Sequence, residues 1–117
     1  MAMQQNEHQE QKALIQWFRM QYPKLIMFAI PNGGQRNIVT AMKLQAEGVL
    51  AGVADLFLMQ PIGKYHGLFI EMKSAKGKVS DQQAYFIEQA NLLGYKAIVC
   101  YGFDQAAAEI MKYLRDV

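Results

Sequence analysis

The sequence has a single cysteine, Cys100, among its 117 residues. One thiol cannot form an internal disulfide, so burial and hydrogen bonding must hold the chain, as expected in a reducing, cytoplasmic compartment. Long apolar runs are also missing. No stretch approaches the ~20 residues a membrane-spanning helix needs, and "MAMQQNEHQEQKALIQW" lacks the basic start and apolar stretch of a secretory signal. These absences predict a chain that is neither exported nor held in a membrane. Charge of one sign is scarce as well: 12 basic against 10 acidic side chains give +2. That balance permits nucleic-acid binding without demanding it, so any such surface must come from local clustering. There are only three prolines, no repeats and no low-complexity linker, and with 52% hydrophobic content the length suits one domain over 1–117.

From about 6 to 21, Leu14, Trp17 and Phe18 recur at helical spacing, and the same face collects Gln11, Glu10 and Glu7. The spacing predicts a helix with apolar and acidic groups turned inward. Pro23 ends it, "KLIMFAI" (24 to 30) reads as a short buried strand, and "PNGG" stops the strand. A second helix is expected over about 35 to 47, terminated by Gly48. "LFLM" and "LFIEMK" predict two strands joined by "PIGKYHG" as antiparallel neighbours. Ser80 is placed to cap the helix "DQQAYFIEQANLL", with Gln83 reaching back as in a capping box. Gly94 ends that helix, "YKAIVCY" is a buried strand holding Cys100, and "DQAAAEIMKYL" is a last helix with Ala107, Ile110, Met111 and Leu114 on one face. The order αβαββαβα predicts an α/β fold with a four-stranded mixed sheet flanked by helices, in which strands separated by helices run parallel.

Asp55 precedes the "LFLM" strand and Glu71 lies near the end of "LFIEMK". In an antiparallel pair those ends coincide, so two carboxylates meet at one edge. Alternation along the strand sends Glu71 and Lys73 to one face and Met72 to the other. Converging carboxylates repel, and without a partner at least one tends to hold a proton. A divalent cation removes the conflict, and hard oxygen ligands suit Mg²⁺ or Mn²⁺. Such a site can activate water and offset charge on a phosphate during hydrolysis, with Lys73 orienting the water or stabilising the phosphate. The competing interpretation makes Asp55 a strand cap and Glu71–Lys73 a surface ion pair of little worth. The short pattern alone leaves both open.

Six ordered blocks extend the pattern: "EHQEQ" (7 to 11), "IPNGGQR" (30 to 36), "EGVLAGVADLFL" (47 to 58), "YHGLFIEMK" (65 to 73), "GKVSDQQ" (77 to 83) and "GYKAIVCYG" (94 to 102). Together they resemble a stand-alone VRR-NUC domain, a branch of the PD-(D/E)XK nuclease superfamily, over nearly the whole chain. The resemblance implies a restriction-endonuclease-like core and a metal-dependent phosphodiesterase acting on DNA in a bacterial or phage-infected cell. It implies Asp55, Glu71 and the Met72 carbonyl as metal ligands, Lys73 as the catalytic lysine, and Gln83 as the glutamine that follows the strand. Glu7 matches the family's additional acidic residue, with Gln11 one turn on, and Glu10 competes for that place. The family's Pro-Asp is Ala54-Asp55 here. Proline supplies no ligand, so metal binding is expected to survive the change. Minimal stand-alone members resemble junction resolvases, which makes four-way or other branched DNA the expected substrate. Paired cuts by a domain with one site would then require a homodimer.

The remaining motifs are weaker. "PNGGQR" lacks the lysine and spacing of a P-loop, so it reads first as a turn. The resemblance nevertheless puts Asn32 and Arg36 near the active face, where Arg36 suits a DNA phosphate. Lys76 and Lys78 follow the charged strand and suit backbone phosphates, against the alternative of a solvated loop. His8 and His66 lack spaced partners and are expected at the surface, while Trp17, Phe18, Tyr85 and Phe86 are assigned to packing rather than base stacking. Two other readings are a non-catalytic DNA-binding module and a monomeric flap or nicking nuclease. Retention of Asp55, Glu71 and Lys73 argues against the first. A signalling receiver is disfavoured because its aspartate ends a parallel strand, whereas Asp55 precedes its strand.

Overall fold

The computed structural model describes residues 6–31 and 37–116. Asn6 opens the first helix: its side chain accepts from the Gln9 N–H, and the Gln9 side chain accepts from the Asn6 N–H. This reciprocal box starts α1 (Glu7–Gln21). There follow β1 (Met27–Ala29), α2 (Ile38–Ala46), β2 (Leu56–Leu58), β3 (Leu68–Lys73), α3 (Asp81–Leu92), β4 (Lys96–Tyr101) and α4 (Phe103–Tyr113). The expected order of elements is the observed one. At α3 the Ser80–Gln83 capping box forms as expected.

The sheet runs β1-β2-β3-β4, with β3 and β4 parallel and the other neighbours antiparallel. The β1–β2 pairing corrects the expectation that strands separated by a helix run parallel. Ile30 N–H donates to the Asp55 carbonyl and Met59 N–H to the Ile26 carbonyl, each at 2.8 Å, so the two strands close like a wide hairpin. A parallel crossover needs its helix packed on the sheet, and α2 buries none of its residues. β1 is also shorter than expected, because it lies at the sheet edge with Phe28 and Ala29 exposed.

The two sheet faces are filled differently. Leu56, Leu58, Leu68, Ile70 and Met72 join Leu14 and Phe18 of α1 and Ala106, Ala107 and Ile110 of α4 in one buried cluster. On the other face Phe57 stacks on Phe69 at 4.5 Å between ring centroids, and Phe69 meets Phe86 of α3 at 5.0 Å. Trp17 and Phe86 pack as expected, but Tyr85 is exposed on the outer side of α3. Met111 is likewise exposed, and Ala106 and Tyr113 complete the buried side of α4. Cys100 is buried; burial, with the Glu109 charge adding to it, pushes its thiol up to about 12. It is packing, not a reactive group. No described helix is long and apolar enough to cross a membrane.

Asn91 joins α3 to β4. Its amide donates to the carbonyls of Ile87 and Ala97, while its side-chain oxygen accepts from the Ala97 N–H. One side chain thus completes the backbone pairing at the start of β4. Asn91→Ala is expected to lower unfolding free energy by about 1–3 kcal/mol, read from urea denaturation, and an unchanged midpoint would show those bonds to be dispensable.

Candidate functional site

The β2–β3 register pairs Leu56 with Ile70, and one further step sets Asp55 opposite Glu71. Asp55 Oδ2 accepts from the Met72 N–H at 2.7 Å, which ties the aspartate to the backbone of β3. Glu71 is 2% exposed and Lys73 8%, with Lys73 Nζ 3.5 Å from Glu71 Oε2. That burial overturns the surface-ion-pair interpretation. Lys73 is covered by the turn that follows it: Gly77 N–H donates to the Ser74 carbonyl, and a Cβ at Gly77 would lie 3.2 Å from Lys73 Cδ.

Gln83 reaches the cluster from α3. Its Oε1 accepts from the Ser80 N–H and its Nε2 donates to Glu71 Oε2 at 3.0 Å. The same amide therefore caps a helix and orients the buried acid. Among the described residues Glu71 Oε1 has no hydrogen-bond partner. Burial pushes the Glu71 carboxyl up from its ordinary 4.5 to about 7, the Asp55 charge adds to the rise, and Lys73 opposes it. An unsatisfied buried oxygen beside a second carboxylate is the setting a hard divalent cation relieves. Soft-metal chemistry is not supported, since His8 and His66 are exposed as expected and Cys100 is used in the core. Among the described residues no three His, Cys, Asp or Glu side chains gather to enclose a metal, so neither Glu7 nor Glu10 completes such a group with Asp55 and Glu71.

The two glutamates of α1 are not equivalent. Glu7 is exposed, contrary to the expected inward face. Glu10 is half-buried, and its Oε2 accepts from the Phe103 N–H at 2.6 Å. The α4 helix has no side-chain cap at Gly102, so Glu10 supplies both the acceptor and the favourable negative charge at that terminus. Gly102 N–H in turn donates to the Lys73 carbonyl. Lys76 and Lys78 are exposed on the loop directly after β3. Asn32 and Arg36 lie outside the described residues.

Gly52 was not singled out in the sequence. Its φ is +95°, and a Cβ there would fall 2.5 Å from the Gln82 carbonyl oxygen. The segment leading to Asp55 is thereby pressed against the first turn of α3, one residue from Gln83. The signal available was "GVLAGVAD", where a glycine recurs three residues before the aspartate.

The VRR-NUC domain family matches residues 2–104 of the chain. The chain belongs to the VRR-NUC family. Among solved structures, a "VRR_NUC domain protein" is 27% identical to it with a TM-score of 0.85, over 98% of this chain and 93% of that one. Among curated proteins, none matches. VRR-NUC domains are nuclease domains and generally metal-dependent, so the chain has a nuclease-type, DNA-directed fold. In this VRR-NUC domain the mixed sheet flanked by helices matches that structural neighbour.

Glu71 should make stability depend on pH. Unfolded it ionises near 4.5 and folded near 7, so between these values the folded state binds more protons. Stability of the metal-free protein should therefore fall as pH rises from about 4.5 to about 7, and fall less in Glu71→Gln. Urea denaturation at fixed ionic strength measures this, and a wild-type stability that does not fall across the window would contradict the assignment.

Proposed function

We propose that this VRR-NUC domain, acting as one unit over 1–117, is a Mg²⁺- or Mn²⁺-dependent endonuclease that hydrolyses DNA phosphodiester bonds. The observation that carries the reading is the buried, unsatisfied Glu71 Oε1 set opposite Asp55. Asp55, Glu71 and the Met72 carbonyl would hold the cation. When bound, it supplies Lewis-acid stabilisation of the charge that grows on the phosphate.

The chain's own groups have separate tasks. The Met72 N–H fixes Asp55, and Gln83 fixes Glu71, so neither carboxylate need reorganise when substrate arrives. The Lys73 ammonium, held beside Glu71 with its stem covered, is placed to orient the attacking water or meet the developing phosphate charge. Lys76 and Lys78 suit neighbouring backbone phosphates, and the family resemblance adds Asn32 and Arg36 to the proposed DNA contacts. The preference for Glu7 as the helix acid rests on the family resemblance; Glu7 is exposed, and Glu10 is engaged at the α4 N-terminus. A non-catalytic DNA-binding module is the second reading. Against it stands the cost of burying a carboxylate with an unsatisfied oxygen, which a binding surface has no reason to keep.

Branched DNA, with a four-way junction preferred, is the proposed substrate and a homodimer the proposed form. One site cuts one strand, so paired cuts need two copies. Support for the dimer comes from α2, where Ile38, Val39 and Met42 are 76%, 77% and 63% exposed. Beyond it a groove of about 660 Å³, lined in part by Val49, Leu50, Tyr85 and Phe86, extends the apolar surface onto α3. Such a patch is of the kind that marks an association surface.

Lys73→Ala and Glu71→Ala should each lower cleavage at least ~100-fold while leaving the fold in place, and EDTA should silence the wild type. Cleavage assays with linear, flapped and four-way DNA check this; full activity of either variant, or cutting in EDTA, would refute the mechanism. Met42→Glu should shift the solution mass from dimer toward monomer, measured by light scattering. A wild type that is strictly monomeric would refute the dimer.

A further inference from the structure

At the other end of the sheet, three lysines surround one small cavity. Lys64, Lys96 and Lys112 line a space of about 210 Å³ together with Ile62, Tyr65 and Tyr113. Lys64 Nζ lies 5.4 Å and Lys96 Nζ 5.5 Å from the centroid of the same Tyr65 ring. The ring attracts both cations through its π face. Among the described residues no carboxylate forms an ion pair with any of the three, and none lines the cavity. Among the described residues these three ammonium groups pair with no carboxylate, and an anion is what would offset their mutual repulsion.

The walls are held in place. Ile62 and Tyr65 exchange backbone hydrogen bonds across a turn whose Gly63 has φ +56°. The Tyr113 hydroxyl donates to the Gln60 carbonyl at 2.7 Å, and its ring sits 6.2 Å from that of Tyr65. The cavity is smaller than the roughly 300–1,000 Å³ typical of sites that enclose a whole small molecule. It suits one charged group that belongs to a longer chain.

Its position sets the distance to the active end. Lys96 pairs with Leu68 at the start of β3, and Tyr101 pairs with Lys73 at its end. Five strand residues span roughly 16 Å. This is the separation along the strands alone: Lys96, in register with Leu68, is on the α4 side of the sheet and Glu71 and Lys73 are on the α3 side, so DNA that reaches both must extend more than about five phosphates, at about 3.4 Å of helix axis each.

We propose that Lys64, Lys96 and Lys112 bind a backbone phosphate of the DNA substrate, outside the cleavage point and at the opposite end of the sheet from Lys73. The assignment rests on the nuclease reading for the identity of the polymer. It adds a positioning site that sets how much flanking DNA the enzyme holds. It does not enter the chemistry.

The test measures DNA binding by fluorescence anisotropy in EDTA, across a range of salt, with two four-way junctions: one whose arms are a duplex long enough to reach both ends of the sheet (the long duplex) and one whose arms are too short to do so (the short duplex). Removing one phosphate-neutralising lysine should reduce the slope of log affinity against log salt by about 0.9. Replacing Lys64, Lys96 and Lys112 together by Gln should lower the long-duplex slope by about 2–3. The double variant Lys64→Gln, Lys112→Gln, which changes only exposed side chains, should lower it by about 2. Cleavage of the short duplex should be unchanged in both variants, which also verifies their fold. A long-duplex slope equal to that of wild type, with short-duplex cleavage intact, overturns this assignment and leaves the nuclease reading standing. If polyglutamate binding depends on the three lysines and DNA binding does not, the cavity is an acidic-peptide site and the assignment is likewise overturned. A wild type that binds no DNA overturns both.

Discussion

A carboxylate buried against a second carboxylate is unfavourable, and the placement of Glu71 opposite Asp55 is the constraint around which the neighbouring structure is arranged. The β2–β3 register creates the juxtaposition. The Met72 N–H holds one carboxylate and the Gln83 amide the other. Gly52 lets the segment before Asp55 press on α3 so that these two anchors keep their spacing. Lys73 offsets part of the charge, but among the described residues one Glu71 oxygen has no partner. What is unfavourable in the resting protein is suited to a cation and a phosphate.

The sheet divides the work. One face is packed by α1 and α4 into an apolar cluster, and the other carries Phe57, Phe69 and Phe86 beside the acidic site. Glu10 joins the two halves by capping α4 next to the end of β3, so the first helix contributes to the geometry of the acidic end without, among the described residues, bonding to Glu71. The helix α2 takes no part in this packing. Its Ile38, Val39 and Met42 are exposed, so they add nothing to the core and are the residues the proposed dimer would cover.

Much of this was legible in the sequence because it depended on local rules. The ends of an antiparallel pair must meet, so Asp55 and Glu71 could be brought together from strand order alone. Ser80 and Gln83 follow capping-box spacing, and Gly48 and Gly94 end their helices. The VRR-NUC resemblance, rather than spacing alone, made those residues the proposed nuclease site. The misses arose where tertiary packing decides. Nothing local reveals that α2 leaves the sheet, that β1 therefore returns antiparallel, or that Tyr85 and Met111 point outward. The burial of the Glu71–Lys73 pair, and the union of Lys64, Lys96 and Lys112 from a turn, a strand and a helix, likewise require the assembled chain.

Burial and the Asp55 charge hold Glu71 above its ordinary titration range, a rise that the proposed divalent cation would reverse. Carbon-13 NMR titration of the Glu71 carboxyl, without metal and then with Mg²⁺, addresses this directly. The expected midpoint is about 7 without metal, moving well down when Mg²⁺ is added. A metal-free midpoint near 4.5 that does not respond to Mg²⁺ would contradict the account.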